Sequence, residues 1–369
     1  MADHPYRGLP DPQFWSRAVT WAPPGGLDPV VSTRFGVGEQ DRIATMGSCF
    51  AQHLSRHLSR SGLDYFVAEQ APAGVEPGSL SRAEADRLQY GTFSARYGNV
   101  YTVAQAVQLF ERAYGTFVPE EGPWSRADGA LVDPFRPLVE PAGFADDASL
   151  AADRDHHLAA VRSVFEDCDI LVFTLGLTEA WRSRRDGAVF ATAPGVNGGQ
   201  WDPDRYEFVN FDIDQVRADL LRYCELARSV NPGVRILLTV SPVPLIATYE
   251  PRHVLVSTTL SKSVLRVAAQ AALDRFDFVD YFPSYEMISA ASATRNYYAP
   301  DLREVEERGV AHVMRVFSRH YVDGQPWSAS ALASNMAGGA VEVGADGRDG
   351  ESAVVCDEET IAAAIEASS

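Results

Sequence analysis

A serine and a cysteine stand side by side, Ser48 and Cys49, directly after the glycine Gly47. The residues before this glycine, 43–46, are mostly apolar, and large apolar residues after it recur at helical spacing, at Phe50, Leu54 and Leu58. This pattern predicts a strand, a tight turn and a helix. Unpaired backbone N–H groups and the helix dipole favour a thiolate, an alkoxide or a bound anion in the first helical turn. The pattern therefore predicts a nucleophile at this turn.

The elements that must hold this turn in place alternate along the chain. Apolar runs typical of strands buried on both faces occur at 170–175 and 235–240, with a shorter one at 278–281. Helical patterns lie between and around them, at 149–167, 214–230, 260–276 and 304–320. Strands that alternate with helices predict a mainly parallel, doubly wound α/β sheet with helices on both faces. Ligands bind beyond the carboxyl ends of the strands in such sheets, so we expect the site there.

Local composition divides the chain into three predicted parts. Residues 1–41 are rich in proline and glycine and are predicted to form an N-terminal arm that wraps the domain. Residues 42–322 carry the alternating elements and are predicted to be one α/β domain with loop insertions. Residues 323–369 are rich in alanine, glycine, serine and acidic residues, and they predict a low-complexity acidic tail with a short helix at 358–367.

The charge and composition of the 369-residue chain exclude several classes of protein. A formal net charge of −18 disfavours nucleic acid and anionic membranes as partners. No run of about eighteen apolar residues occurs and residues 1–5 lack a secretory signal, which predicts a cytoplasmic protein. Neither a G-x-G-x-x-G nor a Walker lysine motif is present, so we expect no cofactor. The oligomeric state is left open.

The four cysteines lie far apart, at positions 49, 168, 224 and 356. They show neither the paired spacing of a zinc site nor the density of a disulfide scaffold, so we expect free thiols, with Cys168 and Cys224 buried. His53 and His57 share a predicted helix face with Cys49, which suggests a metal site as an alternative. Because no fourth ligand follows from the sequence, we predict no metal centre.

Six short motifs resemble those of a known family. Residues 46–51, Met-Gly-Ser-Cys-Phe-Ala, carry the motif that names the GSCFA-domain family, a group that resembles the SGNH (GDSL-like) hydrolases. The other motifs lie at 97–101, 174–176, 239–243, 261–262 and 297–301, so the resemblance covers roughly residues 40–320. It implies a three-layer, flavodoxin-like sheet. It also implies a nucleophile on the first β-to-α turn and a late Asp-x-x-His pair as orienter and base.

The resemblance leaves two candidates for the nucleophile. Laying Gly-Ser-Cys on Gly-Asp-Ser puts Cys49 at the nucleophile position and Gly47 at the turn, whereas a shift of one residue makes Ser48 the nucleophile. We favour Cys49, because a thiol at a helix N-terminus is activated by the dipole and needs a weaker base than a hydroxyl does. The alternative is that Cys49 is a small buried residue that packs the helix on the sheet.

Further site residues are implied by the same motifs. In the superfamily, the nucleophile N–H, a glycine and an asparagine stabilise the oxyanion, and this chain has Thr178 where the hydrolases have that asparagine. Glu179 and Trp181 are expected to line a polar pocket with an aromatic wall. The implied substrate or oxyanion contacts are Gly47, Gly98, Asn99, Gly176, Thr178, Glu179 and Trp181.

The position of the general base departs from the superfamily pattern. Asp301-Leu302-Arg303-Glu304 lies where Asp-x-x-His is expected, so Glu304 replaces the histidine. A glutamate acts as a general base near neutral pH when burial raises its pKa. Three alternatives stay open: Glu304 is the base beside Asp301, His253 replaces it from a polar turn, or hydrolysis is absent.

Taken together, these residues predict an SGNH-like esterase or acyltransferase. Its substrate would be an ester or thioester of a small metabolite or sugar, attacked by the nucleophile of the first β-to-α turn. The alternative is a catalytically degenerate protein of the same fold that binds a carbohydrate or an acyl conjugate. One fold hosts both kinds of protein, so the fold does not decide between them.

Overall fold

Two compact units make up the chain. The structure, a computed structural model, describes residues 4–23, 25–70, 82–290, 297–325, 357, 359 and 360. The sheet unit comprises Gly38–Tyr281 and Gly350–Ser369, and the second unit comprises Met1–Val37 and Phe282–Asp349. The predicted helix at 358–367 lies mostly outside the described residues. The predicted division into an arm, a domain and a tail stays a prediction.

The secondary structure alternates as the sequence predicts. The strands are β1 (Ile43–Gly47), β2 (Trp124–Ser125), β3 (Leu131–Val132), β4 (Ile170–Leu175), β5 (Glu179–Ser183), β6 (Val189–Phe190), β7 (Tyr206–Asn210), β8 (Arg235–Val240) and β9 (Val279–Tyr281). The α-helices are α1 (Ala51–Arg60), α2 (Arg82–Arg87), α3 (Val103–Ala113), α4 (Asp147–Asp167), α5 (Ile213–Val230), α6 (Val254–Arg275), α7 (Ser284–Ser289) and α8 (Glu307–Phe317).

A parallel sheet lies at the centre of the sheet unit, in the order β1-β4-β8-β9. A single parallel bridge between Ile43 and Tyr65 extends it beyond β1. With Tyr65 counted as the second strand, the order along the sheet is the 2-1-3-4-5 of flavodoxin-like folds. The predicted three-layer α/β fold is therefore confirmed.

The helices cover the two faces of this sheet as its connections require. Helix α5 packs against both α4 and α6 on one side, and α1 contacts β1. Parallel crossovers are right-handed, so the connection from β1 to Tyr65 runs over the opposite face from the connections that lead to β8 and β9. Every residue of β4 is buried, as expected of a strand covered on both faces.

Helix α6 begins six residues earlier than position 260, where the apolar pattern predicts its start. It begins at Val254, because the Nδ1 of His253 accepts the Leu255 N–H at 3.1 Å and caps the helix. His253 is exposed at this position. The sequence pattern misses this start because Leu255 and Val256 are exposed apolar residues, which weaken the amphipathic signal.

A small antiparallel sheet, in the order β6-β5-β7, directly follows β4. It packs against the β2–β3 hairpin through a hydrophobic cluster of Trp124, Val132, Ala188, Phe190 and Tyr206. The glycine- and proline-rich stretch 186–203 predicts a loop, and within it only the two residues of β6 are a strand. This insertion stands at the carboxyl end of β4 and gives the site one of its walls.

Buried charges tie the segment before α3 to α4. Arg96 is 2% exposed, and its guanidinium contacts Asp153 at 2.9 Å while its backbone N–H donates to Glu69 at 2.6 Å. The Nδ1 of His157 lies 2.7 Å from the same Glu69 carboxylate. Removing one partner from such a network leaves a buried unpaired charge. Burial lowers the pKa of His157 from 6.5 to about 4, with Arg136 adding to the shift and Glu69 opposing it.

The free energy of unfolding is expected to fall as the pH drops from 6.5 to about 4. The unfolded chain takes up a proton on His157 below pH 6.5 while the folded chain stays neutral there, so acid favours unfolding. The loss attributable to this residue is about 3 kcal/mol. Urea unfolding of His157→Gln at several pH values should show a flatter profile. The matched control, His156→Gln at the exposed neighbour, should keep the wild-type profile.

The second unit has its own buried polar contacts. The Nε2 of His320 lies 2.8 Å from the Asp28 carboxylate, and the Tyr297 hydroxyl lies 2.7 Å from Nδ1 of His312. Burial lowers the pKa of His312 to about 4. His320 follows α8 and contacts the N-terminal segment at Asp28, while Tyr297 contacts His312 on α8 itself.

Candidate active site

The turn between β1 and α1 is built on a glycine that no other residue could replace without strain. Gly47 has φ +133°, and a Cβ placed on it would lie 2.3 Å from the Thr174 carbonyl oxygen. The next N–H, that of Ser48, donates to the same carbonyl at 3.1 Å. Helix α1 begins directly behind, with the Gln52 N–H donating to the Cys49 carbonyl at 3.1 Å. The predicted strand, turn and helix are confirmed.

Ser48 is buried, and within the described residues its hydroxyl has no hydrogen-bond partner. Its Cβ packs closely on Gly176, where an added Cβ would lie 3.0 Å away. A serine becomes a nucleophile when an adjacent base takes its proton. In this arrangement no described base is hydrogen-bonded to the Ser48 hydroxyl.

Cys49 lies in the same turn and is 4% exposed. Its position ahead of α1 gives it the positive end of a helix dipole, which stabilises a thiolate. Burial raises the pKa of Cys168 to about 12 and that of Cys224 further still. Cys168 and Cys224 are therefore packing residues, in agreement with the sequence.

Gly98, Asn99 and Val100, here called the Asn99 loop, lie beside this turn. Gly98 adopts the left-handed region with φ +65°, and the Val100 N–H donates to the Gly47 carbonyl at 2.8 Å. The Asn99 Oδ1 accepts from Gln52 Nε2 at 3.3 Å, and its Nδ2 donates to Asp357 at 2.8 Å. The structure thus brings Gly47, Ser48, Cys49 and Asn99 together, as the sequence predicts for the carboxyl edge of the sheet.

Gly176 is fixed by several hydrogen bonds at the end of β4. Its N–H and that of Leu177 donate to the Tyr101 carbonyl at 3.1 and 3.0 Å, so an oxyanion role for Gly176 requires this bond to be exchanged. Its own carbonyl accepts from the buried Nζ of Lys262 at 2.6 Å. Ser261, beside Lys262, accepts the Thr178 N–H at 3.1 Å. The Ser261-Lys262 motif on α6 therefore positions the end of β4.

A cavity of about 280 Å³ opens next to these residues, between the inserted sheet and the segment after β8. Tyr101, Leu177 and Leu245 form a buried cluster at its base. Aromatic side chains form a wall, at Trp181, Phe208 and Tyr249. Cavities of this size, mostly apolar with a few polar groups, are typical of small-molecule sites.

Glu179 supplies the carboxyl group of this cavity. Burial raises the pKa of Glu179, while the Thr248 hydroxyl at 2.6 Å and the Tyr249 N–H at 3.3 Å act in the opposite direction. Thr178 directs its hydroxyl to Asn210 Oδ1 at 2.7 Å, away from an oxyanion role. Glu179 and Trp181 line the same cavity, although its lining is mostly apolar and not polar as expected, and their roles in substrate binding stay predictions.

The candidate acid–base residues are Asp301, Glu304 and His253. Asp301 and Glu304 belong to the second unit and are exposed there. Asp301 accepts the backbone N–H groups of Arg303 and Glu304 at 3.0 and 3.1 Å, which shapes the turn. His253 caps α6. Their roles as base or orienter stay predictions.

Within the described residues, no group of three or more His, Cys, Asp or Glu side chains is placed to hold a metal ion. None of the described helices has the length and apolar character needed to span a bilayer.

The family follows from comparison with known proteins. The GSCFA family model matches residues 42–317, about three quarters of the chain. The chain belongs to the GSCFA family. A search of curated proteins finds no match to this GSCFA chain.

Two solved structures show low overall similarity to this chain. A Clostridium thermocellum family 3 carbohydrate esterase is 12% identical with a TM-score of 0.32, and the match covers 79% of this chain and 98% of that one. A GDSL-like lipase from Bacteroides thetaiotaomicron is 13% identical with a TM-score of 0.26, and the match covers 45% and 70%.

Proposed function

We propose that this GSCFA protein is an SGNH-like esterase or acyltransferase that acts on an ester or thioester of a small metabolite or sugar. The observation that carries the proposal is the buried Ser48-Cys49 turn at the carboxyl edge of the parallel sheet, hydrogen-bonded through Gly47 to the Asn99 loop. A nucleophile, an amide donor and a cavity of about 280 Å³ then lie along one edge of one sheet.

In the proposed reaction the thiolate of Cys49 attacks the carbonyl carbon of the substrate. The Sγ–carbon bond forms and the carbonyl π pair moves to oxygen, where the Asn99 amide stabilises the negative charge. The carbonyl then re-forms as the C–O bond of an ester or the C–S bond of a thioester breaks, and the leaving alcohol or thiol takes a proton from the general acid. Water or an acceptor hydroxyl or amine next attacks the thioester, loses a proton and releases the thiolate. Asp301 with Glu304, or His253, is the proposed source of acid–base function.

The cavity is the proposed substrate pocket. The aromatic rings of Trp181 and Tyr249 lie 4.9 Å apart between centroids and offer apolar faces on which a sugar ring or an acyl group can pack. Glu179, with its raised pKa, offers a carboxyl group that can hydrogen-bond a substrate hydroxyl. No disulfide joins the three described cysteines to one another, in agreement with a reducing compartment such as the cytoplasm, which we propose as the location of the protein.

Trp181→Ala is expected to raise KM by roughly tenfold and to leave kcat within about threefold, because it removes packing that ground state and transition state share. The measurement is steady-state hydrolysis of p-nitrophenyl esters and of acetylated sugars. Trp15→Ala, at a 74% exposed tryptophan, is the control and should change neither constant. No turnover of any ester or thioester in such a panel would contradict the proposed activity.

A second candidate function is binding without hydrolysis. Two observations favour it: the Ser48 hydroxyl has no described base, and the Asn99 amide already donates to a carboxylate. This alternative predicts saturable binding of a sugar or acyl conjugate by calorimetry, with no release of acid or alcohol over hours.

A further inference from the structure

Asp357 is buried against the candidate site. It is 3% exposed, although aspartate is rarely buried unless it is paired. Its carboxylate Oδ2 accepts the Asn99 Nδ2–H at 2.8 Å, and its backbone N–H donates to the Tyr101 hydroxyl oxygen at 3.0 Å. Both a carboxylate and the adjacent amide N–H are thus recognised by the loop that carries the candidate oxyanion donor.

A second contact lies three residues further along the tail. The Thr360 hydroxyl donates to Asn197 Oδ1 at 3.3 Å, and the Thr360 N–H donates to the Asp357 carbonyl at 3.2 Å. Tyr101 lines the cavity at one point, and Val196, the neighbour of Asn197, lines it at another. Asp357 therefore contacts a residue that lines the cavity, and Thr360 contacts the chain neighbour of another.

We propose that Asn99 and Tyr101 form a binding site for a carboxylate with an adjacent amide N–H, and that Asp357 occupies it as an intramolecular competitor of substrate. This inference rests on the proposed function, in which Asn99 stabilises the oxyanion. The Nδ2–H that donates to Asp357 is unavailable to a developing oxyanion, and the neighbouring carboxylate charge repels one. Substrate turnover requires the Asp357 carboxylate to leave Asn99.

Because Asp357 belongs to the same chain, it can occupy the site formed by Asn99 and Tyr101 even if its intrinsic affinity for that site is weak. A tethered segment has an effective concentration on the order of 1 mM, so a dissociation constant of about 0.1 mM in trans gives roughly 90% occupancy. The apparent affinity for substrate then falls by about tenfold, because only the open fraction binds. A competitor of this kind changes KM and leaves kcat unchanged.

The kinetic test compares two charge-matched variants of the full chain. Asp357→Ala is expected to lower KM about tenfold with kcat within about twofold of wild type. Glu359→Ala removes the same charge from an exposed position two residues away and should leave both constants within about twofold. A synthetic peptide of residues 350–369 should restore the high KM of Asp357→Ala at about millimolar concentration. The same peptide carrying Asp357→Ala should not restore the high KM.

Two kinetic outcomes would overturn the inference. A fall in kcat with unchanged KM would show that Asp357 orients Asn99 for the transition state and does not compete. An unchanged KM would show that the contact does not obstruct substrate.

Hydrogen exchange separates the inference from the proposed function, because it needs no turnover. In wild type, a peptide that contains the Asp357 amide should exchange slowly, and it should exchange at least about tenfold faster in Asn99→Ala and in Tyr101→Phe. Tyr101→Phe removes only one oxygen atom, so it keeps the test valid if Asn99→Ala fails to fold. Slow exchange together with no ester turnover would support the carboxylate site at Asn99 and Tyr101 and contradict the proposed esterase activity. Fast exchange in wild type would reject the site whatever the activity.

Discussion

Replacement of Cys49 by alanine is expected to lower kcat/KM for an accepted ester by about 10³-fold or more, because the acyl-enzyme can no longer form. Cys49 lies in the turn ahead of α1, where the helix N-terminus stabilises a thiolate. Gln52, three residues later, donates a hydrogen bond to Asn99. Steady-state kinetics of the purified variant, with circular dichroism to verify the fold, give the measurement.

Ser48→Ala is the matched comparison, since it alters the neighbouring side chain of the same turn. The Ser48 hydroxyl has no described partner, so its loss leaves no other group unpaired, and we expect an effect below about tenfold. A large loss in Ser48→Ala with a small loss in Cys49→Ala would assign the nucleophile to the serine. Full activity in both variants would remove the nucleophile from this turn.

Gly47→Ala is expected to reduce the free energy of unfolding by about 4 kcal/mol or more. The added Cβ would lie 2.3 Å from the Thr174 carbonyl oxygen and 2.8 Å from its nitrogen, and both are backbone atoms of the adjacent strand. The φ of +133° adds strain for any L side chain. Because Gly47 pairs with Thr174 across β1 and β4, relief requires the two strands to move apart.

Gly62→Ala separates the steric clash from the cost of positive φ. Gly62 has φ +79°, but an added Cβ would meet nothing within 4 Å. We therefore expect the free energy of unfolding to fall by only about 1 kcal/mol. Chemical denaturation of both variants gives the comparison. A similar small loss in both would mean that the β1–β4 contact at Gly47 is looser than the structure shows.

The fold and the nucleophile turn could be predicted because local patterns specify them. The apolar run of β4 predicts a strand covered on both faces, and Gly47 with the helical spacing behind it predicts the turn. The Thr102 and Gln105 side chains form a capping box at the start of α3, and the two residues are only three positions apart in the chain. In each case the residues that determine the structure are near one another in the chain.

The rest of the site depends on contacts between distant residues, which local patterns do not encode. Lys262 reaches the Gly176 carbonyl from α6, 86 positions away, and Asp357 reaches Asn99 across 258 positions. The Ser261-Lys262 pair gave one signal, since a lysine on the buried face of a helix needs a partner. The acidic composition of the tail gave none for Asp357, because solvated carboxylates are the usual content of such segments.

The most direct test of the nucleophile turn is to trap the acyl-enzyme. Wild type is mixed with p-nitrophenyl acetate, quenched in acid within seconds and digested, and each cysteine peptide is analysed by mass spectrometry. An acetyl group is expected on Cys49 at a level that Cys168 and Cys224, whose pKa values burial raises, do not reach, and it should be absent from Cys49→Ala. Protein unfolded in guanidinium, where all thiols react alike, is the control. Equal labelling of the cysteines in the folded protein, or none in the β1–α1 turn, would contradict Cys49 as the nucleophile.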